Sequence, residues 1–133
     1  QAQPKNIFTH VIRVQAPDID TLDHVNNVVY LRWVQDVATA HWCKIAPEEM
    51  RKKYSWVVLR HEIDYRNPAV LGDELIVRTW VGSSKGVKSV RYVEFHQSGT
   101  GKLVAEAKTT WCLLDAQTMR PKRIENDIVS IFQ

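Results

Sequence analysis

Ten residues near the N-terminus, Asp18-Ile-Asp20-Thr-Leu-Asp23-His24-Val-Asn26-Asn27, hold three carboxylates, an imidazole and two amides. They run directly into an apolar stretch with helical spacing. The first turn of a helix has N–H groups without intrahelical acceptors, and the dipole adds positive character there. A carbonyl oxygen turning into an oxyanion can be held at such an end, while a nearby carboxylate attacks the carbon or takes a proton from water. A thioester carbonyl suits this arrangement. The same residues also fit a purely structural role, with the aspartates making Asx turns and the asparagines capping the helix. Spacing by itself leaves the two open.

Other chemistry has less support in the chain. There is no Walker A loop, no GxGxxG, no GxSxG elbow, and the five histidines (His10, His24, His41, His61, His96) show no metal-ligand spacing. No metal and no cofactor are therefore expected. His61 falls on the apolar side of an alternating segment, where a core or interface histidine competes with a substrate contact. His41 reads as a packing residue near a helix C-terminus. The tryptophans Trp33, Trp42, Trp56, Trp80 and Trp111 read first as core and interface residues, with an acyl tunnel as the alternative. Lys85, Lys88 and Arg91 share one hairpin and offer phosphate contacts or a solvated basic face; Arg120-Pro121-Lys122-Arg123 has the same ambiguity.

At 133 residues, 44% hydrophobic and 25% charged, the chain has the size and composition of a single globular domain spanning 1–133. It contains no apolar run long enough for a membrane helix, so no membrane role is expected. The formal charge of +3 is modest and its basic residues are dispersed, which argues against nucleic acid as a partner. Cys43 and Cys112 are far apart and form no CxxC, so a reducing, cytoplasmic setting is expected. Residue 1 is Gln, and no charged n-region leads into an apolar h-region.

The elements that must position the loop follow from changes of hydrophobic period. Residues 7–15 place Phe8, Ile12 and Val14 on one face and Thr9 and Arg13 on the other, a half-buried strand. After the loop, Val28–Cys43 shifts to a period of ~3.6, a helix apolar around much of its circumference and capped by Asn26 or Asn27. A short helix begins at Pro47. Residues 56–66 alternate, with Val57, Leu59, His61, Ile63 and Tyr65 on one face. Three further strands follow turns at Leu71-Gly72-Asp73, Ser83-Ser84-Lys85-Gly86 and Ser98-Gly99-Thr100-Gly101. The last carries Leu103, Ala105, Ala107, Thr109, Trp111 and Leu113 on one face. The result is an α+β fold, an antiparallel five-stranded sheet around one long helix.

The pattern Asp18-x-Asp20-x-x-x-His24-Val25-Asn26-Asn27-x-x-Tyr30-x-x-Trp33 resembles the signature of the hotdog-fold thioesterases. The resemblance is to the acyl-CoA and 4-hydroxybenzoyl-CoA thioesterase branch and to the acyl-ACP thioesterases that share the HVNN segment. Tyr65-Arg66-Asn67-Pro68-Ala69-x-x-Gly72-Asp73 is similar to that family's exit from the second strand. The resemblance implies a hotdog fold and thioester hydrolysis. It puts the catalytic carboxylate at Asp20, the oxyanion donor in the backbone at Asn27, and a positioning histidine at His24. Asn26, Tyr30, His61, Lys88 and Arg91 are the expected substrate-binding residues. Val28 and Leu22 stand where some members carry His and Asn, so Asp20 stays open as nucleophile or general base.

Three readings follow. The first is a homodimeric or homotetrameric acyl-CoA thioesterase with active sites shared between subunits, coenzyme A being part of the substrate. The second acts on acyl carrier protein. The third is a non-catalytic module that binds acyl thioesters; the carboxylate at the helix entrance speaks against it.

Overall fold

The computed structural model describes residues 6–133. In chain order these form β1 (Phe8–Arg13), α1 (Asn27–Ile45), α2 (Glu48–Lys53), β2 (Tyr54–Tyr65), β3 (Glu74–Lys85), β4 (Lys88–Gln97), β5 (Leu103–Asp115) and α3 (Asn126–Ile131), with a single 3-10 turn at Ala16–Asp18. All pairings are antiparallel and the spatial order is β1-β3-β4-β5-β2. β3, β4 and β5 are joined by hairpins; β1 and β2 are the edges. No helix among the described residues is long and apolar enough to cross a membrane.

α1 buries Val29, Tyr30, Trp33, Val34, Val37, Ala38 and His41, a stripe recurring every three or four residues. Opposite it stand Leu75 and Val77 of β3, Val93 and Phe95 of β4, and Ala105 and Ala107 of β5, in one core cluster. Each large aliphatic residue withdrawn from water here contributes about 1.5–3 kcal/mol. The two alanines leave room for the helix to lie close to the sheet. Asn26 is the cap: its side chain accepts the Val28 N–H. The helix starts one residue earlier and ends two later than the periodicity suggests, at Asn27 and Ile45.

The β3–β4 turn is Gly86-Val87, because Ser83, Ser84 and Lys85, expected in the turn, continue β3. Two larger features depart from the sequence reading. β2 has a bulge between Val58 and Arg60. The extra residue, Leu59, is 52% exposed, and the alternation changes phase across it. Val57 and Leu59 therefore do not share a face with His61 and Ile63; Trp56 and Val58 turn inward instead. The second departure is α3, six residues that carry no periodic signal. Ile128 and Phe132 bury themselves with Leu113 in a second apolar cluster that includes Trp42, Tyr54 and Trp56. The antiparallel five-stranded sheet around a long helix, and the α+β class, are as expected.

Candidate active site

The loop before α1 is organised by its aspartates. Asp18 is buried at the end of the 3-10 turn. One carboxylate oxygen accepts the Gln15 N–H at 2.9 Å and the other accepts Arg32 Nη2–H at 3.0 Å. Its carbonyl accepts the Asn26 N–H at 2.8 Å. Asp18 thus fastens the loop to α1 and is turned away from the cleft. Ile19 and Val25 form a bridge, and the Val25 N–H donates to the Ala69 carbonyl at 2.9 Å, tying the loop to the segment after β2.

Asp20 and His24 close the loop between those bridge residues. The Asp20 N–H donates to the His24 carbonyl at 2.8 Å, and Asp20 Oδ1 accepts the N–H groups of Leu22 at 2.8 Å and His24 at 3.2 Å. Asp23 completes the turn at φ +63°, a left-handed conformation that Asp tolerates. These bonds fix the carboxylate through Oδ1. Oδ2 has no hydrogen-bond partner among the described residues. The His24 ring is exposed, its backbone alone serving the turn.

One step along, the Asn26 cap takes the Val28 N–H at 3.1 Å and the Asn26 carbonyl takes the Val29 N–H at 2.9 Å. The Asn27 N–H, first in the helix, has no acceptor among the described residues. Asp20, His24, Asn26 and Asn27 share a cleft of about 390 Å³ with Tyr30, Tyr65, Arg66 and Asn67. Tyr30 is its buried floor, in edge-to-face contact with Trp33, Tyr65 and Phe95, and burial raises its phenol pKa. Tyr65 Oη–H donates to the Asn27 carbonyl at 3.3 Å. Leu22 and Val28 stand 73% and 68% exposed beside these polar groups. An anchored carboxylate with a free oxygen, an unpaired helix N–H and an apolar rim can act on a polarised carbonyl that bears an apolar group.

The remaining expected substrate residues lie elsewhere. His61, on β2, shares a hydrogen bond between Nδ1 and Thr109 Oγ1 at 3.0 Å; burial lowers its pKa. Lys88 is exposed at the start of β4. Arg91 is not on a solvated basic face but buried, donating through Nη1 to His41 Nδ1 at 2.9 Å. Because Arg only donates, His41 must accept at Nδ1 and carry its proton on Nε2, which donates to Asn6 Oδ1 at 3.2 Å. His41 is therefore a hydrogen-bonded partner as well as a packing residue. Sequence reasoning missed the cleft wall of Tyr65, Arg66 and Asn67, although the turn-forming Asn67-Pro68 pair marked the end of β2. It also missed Arg32, an arginine one turn into a mostly apolar helix.

A five-stranded antiparallel sheet around one long helix is the fold of the hotdog thioesterases. Residues 14–132 match the model of the thioesterase-like superfamily, and the chain belongs to that family. It is 26% identical over 125 residues to the long-chain acyl-CoA thioesterase FadM of Escherichia coli, covering 88% of this chain and 90% of the relative. Among solved structures, a predicted thioesterase from Bacillus stearothermophilus superposes with a TM-score of 0.83 at 25% identity over 95% of this chain and 93% of the other. A Staphylococcus aureus protein solved in complex with CoA gives 0.83 at 18% identity, covering 98% and 84%.

Proposed function

We propose that the cleft hydrolyses an acyl-CoA thioester to the free acid and coenzyme A, with Asp20 as the carboxylate that starts the reaction. The observation carrying this reading is that Asp20 Oδ2 and the Asn27 N–H, both without a partner among the described residues, lie in one cleft, while Asp20 Oδ1 and the Asn26 side chain are held by backbone N–H groups. Asp20 attacks the carbonyl carbon, or takes a proton from a water that does so. The carbonyl oxygen gains negative charge beside the Asn27 N–H. The C–S bond then breaks and the thiolate leaves. In the covalent route the acyl group stays on Asp20 as an anhydride, which water hydrolyses to the free acid and the restored carboxylate, the proton released going to the thiolate; in the general-base route the proton held by Asp20 passes to the thiolate. His24 orients substrate or water, and Asn26 and Tyr30 shape the entrance and floor. The chemistry uses no metal or cofactor. The similarity to FadM supports the acyl-CoA substrate, and the free thiols of Cys43 and Cys112 suit a reducing, cytoplasmic compartment.

The assembly we propose is a homo-oligomer. β2 is an edge strand with Val57, Leu59 and Tyr65 exposed, a surface that a second copy would cover while satisfying the open backbone groups. Light scattering at micromolar concentration should return a dimer or tetramer mass; a monomer would overturn it.

Hydrolysis of a panel of acyl-CoA and acyl-ACP thioesters tests the activity. Faster turnover of acyl-CoA is expected, preference for acyl-ACP would shift the substrate to the carrier protein, and no turnover of either would leave a binding module. A single turnover in ¹⁸O-labelled water separates the two roles of Asp20. Label entering the protein carboxylate marks covalent attack; where label is found only in the acid, trapping of an acyl-Asp20 anhydride with hydroxylamine marks covalent attack and its absence a general base.

A further inference from the structure

Farther along α1, about 18 Å from Asn27 at ~1.5 Å rise per residue, lies a second cavity of about 310 Å³. Its wall includes the indoles of Trp42, Trp56 and Trp111 and the guanidinium residues Arg51 and Arg91, and no Asp or Glu. Arg91 is only 5% exposed. Its partners are neutral: Nη1 donates to His41 Nδ1 at 2.9 Å and to Thr79 Oγ1 at 3.1 Å, and the Phe132 ring lies 5.6 Å from Cζ.

Among the described residues, no carboxylate forms an ion pair with Arg91 or Arg51. Burial brings the Arg91 pKa down to about 10, which leaves it charged at neutral pH, while His41, lowered to about 4, stays uncharged. A buried cation without a counter-ion is costly. Arg51 Nε and Trp111 Nε1 also lack acceptors among the described residues, but both atoms are closed off from the open space of the cavity. The side-chain acceptors of the wall, at Thr39, Tyr54, Ser55 and Ser89, are hydroxyls that also donate, and no carboxylate stands opposite the buried Arg91 cation. An inorganic anion would leave the three indoles facing empty space.

We propose that this cavity binds an organic carboxylate, its charged end at Arg91 and its apolar body against the tryptophans. The carboxylate comes either from a free acid or from the far end of an acyl group. Binding here does not depend on hydrolysis at Asp20. The indoles give a direct readout. The full chain is titrated with octanoate and benzoate, and separately with octanamide and benzamide, following tryptophan fluorescence and calorimetry.

Saturable binding of the acids is expected, with the amides at least ~10-fold weaker. Arg91→Met should abolish it, and Arg51→Gln and Trp111→Phe should each weaken it several-fold, so the proposal remains testable if Arg91→Met does not fold. Asp20→Asn should leave binding unchanged. Equal affinity for acid and amide, no saturable binding, or loss of binding in Asp20→Asn would each overturn the proposal. Comparing acyl-CoA esters with and without a terminal carboxylate then separates the sources. A kcat/KM preference for the terminal carboxylate that Trp111→Phe and Arg51→Gln erase assigns the cavity to the acyl group; binding of free acids without that preference assigns it to a free acid.

Discussion

The two halves of α1 serve opposite environments built by opposite means. At the N-terminal half, a carboxylate and free N–H sit in a cleft whose parts come mostly from residues 18–30, held by hydrogen bonds between near neighbours. At the other half, two guanidinium groups and three indoles meet from α1, α2, β2, β4 and β5, closed by Phe132 just after α3. The first environment offers a base and an anion site to a neutral carbonyl. The second has a buried positive charge with only neutral partners. A local turn can tune one carboxylate at little conformational cost, whereas enclosing an arginine requires the whole sheet and both flanking helices.

The largest expected effect is at Asp20. Asp20→Asn keeps an oxygen for the Leu22 and His24 N–H groups but removes the charge, so kcat should fall by ~10²- to 10⁴-fold with the melting temperature nearly unchanged. Parent-level kcat would make Asp20 a turn residue and erase the functional side of the contrast.

The other half of the helix should reveal itself in acid. The folded-state pKa of His41 is lowered to about 4, by burial first and then by the Arg91 and Lys44 cations, whereas an unfolded histidine titrates near ~6.5. Between those values the unfolded chain binds the extra proton. Stability should be complete above pH ~6.5 and fall by about 3 kcal/mol as pH drops toward ~4. Urea midpoints across this range provide the measurement, and His41→Gln should flatten the fall. An equal pH slope in the variant would show that His41 is not the responsible group.

A smaller change is expected at His24. His24→Ala retains the backbone bonds to Asp20, so the fold should persist while kcat/KM drops by roughly tenfold or more. A lower melting temperature with normal kinetics would instead give the ring a structural task.

The smallest effect concerns Asp18, two residues from Asp20 and different in duty. Asp18→Asn breaks the ion pair to Arg32 but keeps an acceptor for Gln15, and should cost about 1 kcal/mol of stability with kcat little altered. Chemical denaturation beside steady-state kinetics tests it; a large loss of kcat at intact stability would move Asp18 into the chemistry.

The helix, the strands and the loop are legible in the chain, because each is written in a period or in a run of neighbouring residues. The 3.6-residue stripe of α1, the turns between strands and the Asp/Asn segment before Asn27 are all short-range signals, and Asp20, His24, Asn26, Asn27 and Tyr30 do share one cleft. Features that depend on residues far apart in the chain emerge when the sheet closes. The bulge at Leu59 is set by pairing with β5, and it reverses which side chains face inward in the part of β2 before it, Trp56 and Val58 in place of Val57 and Leu59. The six residues of α3 form where Ile128 and Phe132 find the cluster around Leu113. Arg91 reads as one more basic residue on a hairpin, and its burial against His41, 50 positions away, follows from how the sheet closes over α1. Local sequence encodes conformational preference; burial and charge pairing are properties of the closed sheet, which no short segment contains.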